Sequence, residues 1–132
     1  MPQQFRLQPP KPPKMIENDV EAQCLQVLRL RQYQPERLHS GTFKSLDGRR
    51  FIKGHEKGTP DYVVTHALYP AFYMETKRPG EGCSSDQERR HIELAIDGLA
   101  VVTVAGYEQL LAWVAQHEQH ARARWRILLE GH

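Results

Sequence analysis

The sequence predicts an α/β domain, a mixed β-sheet flanked by helices. Three observations lead there. Two strand segments, Asp61–Val64 and Ala71–Lys77, are joined by a short turn at 66–70, which favours antiparallel pairing. A helical pattern over 86–97 separates the second strand from the apolar run Ala100–Ala105, the arrangement of a βαβ crossover with parallel strands. Helical apolar spacing at Val20, Cys24 and Leu28, and again at Leu110 and Val114, adds a helix at each end of this block.

The 132 residues suit one domain, able to bury roughly two thirds of the surface its unfolded chain exposes. A composition of 39% hydrophobic and 26% charged residues is that of a globular chain rather than a disordered one. Eighteen basic against sixteen acidic residues give a net charge of +2, which permits a nucleic-acid partner without demanding one. Two cysteines, Cys24 and Cys83, are too few for a disulfide scaffold or a four-thiolate zinc site within one chain. No apolar run approaches the ~20 residues of a membrane span, and the opening MPQQFRLQPPKPPK lacks the apolar segment of a secretory signal. A soluble, cytoplasmic protein without membrane contact is the expectation.

Residues 1–15 read as a flexible, proline-rich basic arm in extended polyproline geometry. The first helix is expected over 16–31, ended by Pro35. Thr42–Lys44 and Arg50–Lys53 form a hairpin around the turn Leu46-Asp47-Gly48. Ser84 or Ser85 caps the helix over 86–97, whose apolar face is Ile92, Ala95, Ile96 and Leu99. Gly106 opens the last helix. Its neighbours His117 and His120 sit near its expected end, where a positive charge is favoured. The main domain spans 16–119. The C-terminal extension 120–132 is ambiguous: Arg122, Arg124 and Arg126 alternate with Ala123, Trp125 and Ile127 as in a strand, then Leu128 and Leu129 break the alternation.

Three residues carry the chemistry. If the 66–70 turn centres on Leu68, Asp61 faces Glu75 across the hairpin. Glu75 and Lys77, two apart on one strand, project from the same face. Two carboxylates and a lysine at a sheet edge suit phosphodiester hydrolysis. Carboxylate oxygens hold a hard divalent cation, and a lysine positions water or offsets charge on the phosphorus. Lys77, at the strand's end, is expected to bury little.

The ordered set Gly58-Thr59-Pro60-Asp61, Glu75-Thr76-Lys77, Ser84 and Gln87, then Gly98 before the strand at 100–104, resembles the VRR-NUC group of the PD-(D/E)XK nuclease superfamily over residues 16–112. The resemblance implies a restriction-endonuclease-like core and a Mg²⁺- or Mn²⁺-dependent deoxyribonuclease. Asp61, Glu75 and the carbonyl of Thr76 would ligate the metal, and Lys77 would handle the attacking water. Gln87 would orient a ligand or phosphate. Glu17 would complete the shell through water, with Glu21 as the competing candidate. The implied partner is structured or branched DNA such as a four-way (Holliday) junction, in a bacterial or phage-infected cell, cut by a homodimer. A nuclease for flaps, nicks or single strands, or a non-catalytic DNA-binding module, is the alternative. Lys44, Arg49, Arg50, Lys53, Lys57, Arg78, Arg89 and Arg90 are the expected phosphate contacts. His91, one turn after Gln87, either approaches the site or packs at the core edge, the second being the preferred reading.

Overall fold

The computed structural model describes residues 17–39, 42–44, 51–53 and 56–131, with side chains described over 19–39 and 56–131. The elements run α1 (Glu17–Leu30), β1 (Gln34–Arg37), β2 (Thr42–Lys44), β3 (Phe51–Lys53), β4 (Tyr62–Thr65), β5 (Phe72–Thr76), α2 (Ser85–Ile96), β6 (Ala100–Val104) and α3 (Tyr107–Glu130). The main sheet has the order β1-β4-β5-β6, antiparallel except for the parallel β5–β6 pair, and β2–β3 forms a separate antiparallel hairpin. This is the mixed sheet expected, with α2 as the crossover. The proline-rich arm and the Leu46-Asp47-Gly48 turn lie outside the described residues.

Strand alternation divides the sheet into two unlike faces. Tyr62, Val64, Phe72, Met74, Val102 and Val104 point to one side. There they form a single core with Val20, Cys24 and Leu28 of α1, Tyr33, and Leu110 and Val114 of α3. Desolvation in this core pushes the Cys24 thiol up to about 11, so it behaves as a small apolar group. The other side carries Asp61, Val63, Tyr73, Glu75 and Thr103 and is covered by α2. This leaves the Asp61 and Glu75 carboxylates on the face away from the core, while Arg37, opposite Tyr62, stands on the core side at the sheet's exposed edge.

Several sequence expectations are corrected. Pro35 does not break the chain but lies within β1, which the sequence reading lacked; as a sheet edge, β1 tolerates a residue without an N–H. The apolar stripe assigned to α2 does not face the core. Ile92, Ile96 and Leu99 are exposed, Ile96 to 78%, and Leu94 is the buried residue of this helix. β6 is an edge strand with Thr103 exposed rather than a fully buried one.

Residues 120–130 are helical and continue α3 without a break, so the 119/120 boundary falls inside a helix. The alternating arginines do not make a strand. Ala121 is buried, Trp125 stacks on Tyr69 at 5.5 Å, and Arg122 donates to the Tyr69 hydroxyl at 2.9 Å. Consequently His117 and His120 are not at a helix end. The His117 ring stacks on Trp113 at 4.7 Å and its Nε2 lies 2.7 Å from the Pro70 carbonyl oxygen, tying α3 to the β4–β5 turn.

α1 ends in a paired closure. Tyr33 N–H bonds the Leu28 carbonyl at 3.0 Å and Gln32 N–H bonds that of Arg29 at 3.1 Å. Gln32 holds the left-handed position at φ 70°, where a side chain is strained. Replacing this exposed residue in Gln32→Gly should raise stability by about 0.5–1 kcal/mol, because relief of that strain outweighs the added freedom of the unfolded chain. Denaturant unfolding of the two proteins, compared at equal slope, measures it; a loss of stability would contradict the assigned backbone geometry.

Candidate functional site

The site is assembled where β4 begins and β5 ends. Paired positions Tyr62↔Met74, Val63↔Tyr73 and Val64↔Phe72 set the register, and one further step places Asp61 opposite Glu75. There the ladder is continued by side chains. Asp61 N–H donates to Glu75 Oε2 at 2.9 Å. In return Asp61 Oδ2 accepts from the Thr76 N–H at 3.1 Å and its hydroxyl at 3.2 Å. Each carboxylate therefore holds the backbone of the other's strand.

The loop before Asp61 is pinned to α2. Thr59 N–H bonds the Glu56 carbonyl at 3.1 Å, and Gly58 sits at φ +88°. A Cβ on Gly58 would lie 2.3 Å from the Asp86 carbonyl oxygen, so only glycine allows the loop to reach the first turn of the helix. Lys57 pairs with Asp86 across the same junction at 3.2 Å. Pro60, fully buried, then leads into Asp61.

Gln87 joins the helix to the carboxylates. Ser84 caps α2 by accepting the Gln87 N–H, while Gln87 Oε1 accepts the Ser84 N–H at 2.9 Å, a reciprocal capping box. The other end of the same amide, Nε2, donates to Glu75 Oε1 at 2.5 Å. Both ends of the side chain are thus fixed, and the helix start is locked to the carboxylate.

Glu75 is 2% exposed. Burial pushes its pKa up to about 7. The Asp61 charge adds to the rise, while the Asp61 N–H and Lys77 oppose it. Lys77 is only 7% exposed, contrary to the expectation of a solvated edge lysine. Its N–H continues the β5–β6 ladder to the Val104 carbonyl at 2.9 Å. Its ammonium lies 3.7 Å from Glu75 Oε1 and 3.6 Å from Glu81 Oε1. Glu75 and Glu81 flank the buried ammonium, surroundings that the sequence alone did not convey.

Of the expected site residues, the structure brings Asp61, Glu75, Thr76, Lys77 and Gln87 together. Glu21 is committed elsewhere. Its Oε1 accepts from Arg37 at 2.5 Å and from the Tyr62 hydroxyl, whose pKa burial and this carboxylate push up to about 12. The Tyr62 ring belongs to the core on the opposite side of the sheet from Glu75. The side chain of Glu17 lies outside the described residues, as do those of Lys44, Arg49, Arg50 and Lys53. Lys57, Arg78, Arg89 and Arg90 are each in ion pairs with Asp86, Glu81, Asp86 and Glu93, and Glu56 and Glu93 respectively. Such surface pairs are worth ~0–1 kcal/mol, so a phosphate can displace the acidic partner.

Sequence reasoning missed Glu81, four residues after Lys77, and Arg37 and Tyr62, which hold Glu21. His91, one turn after Gln87, lies on the site side of α2. The imidazole responds to Lys77 and Asp61, and its Nε2 is buried without a hydrogen-bond partner among the described residues.

No family model, no curated protein and no solved structure matches the chain. Among the described residues no group of three or more His, Cys, Asp and Glu side chains gathers as a metal site, and no helix is long and apolar enough to cross a membrane. Two carboxylates do meet. Their hard oxygen donors suit Mg²⁺ or Mn²⁺. Burial first, and the Asp61 charge second, push the Glu75 pKa up.

A pH test follows from Glu75. Its folded pKa, about 7, lies above the ordinary value of 4.5, so between these the folded state binds the extra proton. This contribution is full below pH 4.5 and is lost as pH rises through 7. In metal-free protein the stability of wild type relative to Glu75→Gln should fall by up to ~3 kcal/mol across that range. Denaturant midpoints at pH 4.5, 6 and 7.5 measure it. A flat difference would place Glu75 in a solvated environment.

Proposed function

We propose that this chain is a metal-dependent DNA endonuclease that hydrolyses phosphodiester bonds in structured or branched DNA, four-way junctions included. The observation that supports this reading best is the interlocked cluster of Asp61, Glu75, Lys77 and Gln87 at one sheet end. Two carboxylates face each other across adjacent strands, with a buried ammonium 3.7 Å from one of them.

Asp61, Glu75, the Thr76 carbonyl and Glu17 are the groups that would hold Mg²⁺ or Mn²⁺. When bound, the ion polarises the phosphoryl oxygen and lowers the pKa of water. The protein's own residues do the remainder. Gln87, fixed by the helix cap, keeps the Glu75 carboxylate in one orientation. Lys77 presents a donor on the same face as Glu75, where it orients the attacking water and offsets negative charge growing on the phosphorus. Arg78, Lys57, Arg89 and Arg90 exchange acidic partners for DNA phosphates and position the backbone without reading bases. Because the chemistry needs a charged, desolvated lysine, binding and cleavage should separate.

Lys77→Ala should lower the cleavage rate by at least ~100-fold while leaving the DNA dissociation constant within about threefold. The measurement is single-turnover cleavage of junction, flap, duplex and single-stranded DNA with Mg²⁺ or Mn²⁺, beside fluorescence anisotropy. Equal loss of binding and cleavage would make Lys77 a phosphate contact. Cleavage confined to flaps or single strands would move the substrate away from junctions, and DNA binding without cleavage by wild type would leave a binding module.

The reading includes a homodimer, since one small subunit supplies one cutting centre and a symmetric junction asks for two. Light scattering at micromolar protein, alone and with junction DNA, should give twice the subunit mass. A monomer in both states removes paired cutting.

A further inference from the structure

α2 presents Gln87, His91 and Leu94 to the sheet at successive turns. Gln87 holds Glu75, and Leu94 is buried beneath the sheet's polar face. Between them His91 is half-buried, with Nε2 shielded from solvent and bonded to nothing among the described residues. Helical side chains lean toward the helix start, so the imidazole is directed back toward the Gln87 turn and the carboxylate end of the sheet. A buried ring nitrogen left unpaired is costly, which calls for a partner in the working state.

Lys77 supplies the complementary group. Its ammonium has three donors, yet its distances of 3.6 Å and 3.7 Å to Glu81 and Glu75 are those of ion pairs, longer than good hydrogen bonds. Burial first, and the Lys77 charge second, hold the His91 pKa below its usual value, against a smaller opposing effect of Asp61. That direction favours the neutral ring, whose unprotonated nitrogen offers a lone pair.

We propose that His91 is a positioning residue for Lys77: its neutral imidazole, with the proton on Nδ1, accepts a hydrogen bond at Nε2 from the Lys77 ammonium and aims that ammonium at the reacting phosphate. The shift is small in kind. When Glu75 turns its charge to a cation, its hold on Lys77 weakens, and His91 is the neighbouring acceptor that keeps the lysine buried and oriented. This inference rests on Lys77 belonging to the reacting centre, but the contact itself is measurable without catalysis.

Two measurements test it. The first is the ¹⁵N shift of the His91 ring in wild type and Lys77→Met, with and without Mg²⁺. The expected result is an unprotonated Nε2 whose shift moves toward the free-acceptor value when Lys77 is replaced. A protonated Nε2, or a shift indifferent to Lys77, overturns the proposal whether or not the protein cuts DNA. The second is kinetic. His91→Leu should slow single-turnover cleavage by about ten- to a hundredfold with DNA affinity and thermal midpoint held. His91→Gln, whose Oε1 restores an acceptor near the Nε2 position, should recover the rate to within about threefold. Equal losses in both variants, following stability, would reduce His91 to packing. A cutting rate unchanged in His91→Leu would also overturn the role, whereas an inactive wild type would fault the nuclease reading and leave the ¹⁵N result to decide the contact.

Discussion

Burying a carboxylate is the constraint around which this domain is arranged. Glu75 follows a strand that is apolar on its core side and is removed from water by α2 on the other. An isolated charge there would be costly, so every nearby element contributes a compensating group. The β4 strand gives the Asp61 N–H, the start of α2 gives the Gln87 amide, and the end of β5 gives Lys77. Three segments distant in sequence are thereby brought to one point. Desolvation still outweighs these groups and pushes the carboxyl up to about 7. A fully satisfied carboxylate would hold its proton weakly and have little to gain from a cation. A partly satisfied one is well suited to a ligand.

The rest of the fold makes this arrangement affordable. Core residues concentrate on the sheet face covered by α1 and α3, where the sheet side chains are apolar apart from Thr76 and, at the edge, Arg37. Stability is thus gathered on one side and polar chemistry on the other. α2 contributes a single buried apolar residue, Leu94, so its attachment relies on the polar junction at its start. Gly58 against Asp86, the Ser84–Gln87 box and the Gln87–Glu75 bond all lie within its first turn or at its edge. The same contacts that orient Gln87 also hold the helix on the sheet.

Much of this was legible in the sequence because it follows from local arithmetic. A turn centred on Leu68 fixes the 61–75 pairing, and the observed register extends to that pair. The Asp86–Asp97 helix between two strands forces the parallel crossover, and a serine at 84 or 85 reads as its cap, a role the structure gives to Ser84 with Gln87 completing it. The failures share a different cause. Ile92, Ile96 and Leu99 have correct helical spacing, but periodicity cannot say which stripe meets the sheet when the competing one holds Gln87, His91 and Leu94. Pro35 marks a helix end correctly and still enters a strand, because edge position is a property of the whole sheet. Arg122, Arg124 and Arg126 alternate by composition, while Tyr69, a residue far away in sequence, decides that the segment is helical by stacking on Trp125. Lys77 reads as a solvated edge residue, and its burial depends on how the chain folds back after β5 to set Glu81 beside it. Each error concerns a neighbour supplied by tertiary structure.

Glu21 shows how such neighbours redistribute roles. From sequence, either acidic residue on the first helix fits a metal shell. In the fold, Glu21 accepts from Arg37 and Tyr62, and these partners lie on the paired strands β1 and β4, opposite each other in register. The carboxylate therefore clamps the sheet edge to α1 just where β4 begins. Tyr62 adjoins Asp61, so the position of the helix reaches Asp61 through the backbone, with no need for Glu21 to touch a metal. Releasing Glu21 toward the other face would leave the buried Tyr62 hydroxyl and the Arg37 guanidinium to find new partners, which opposes the move. The helix thus acts on Asp61 by fixing the strand that carries it, and Glu21 serves that edge.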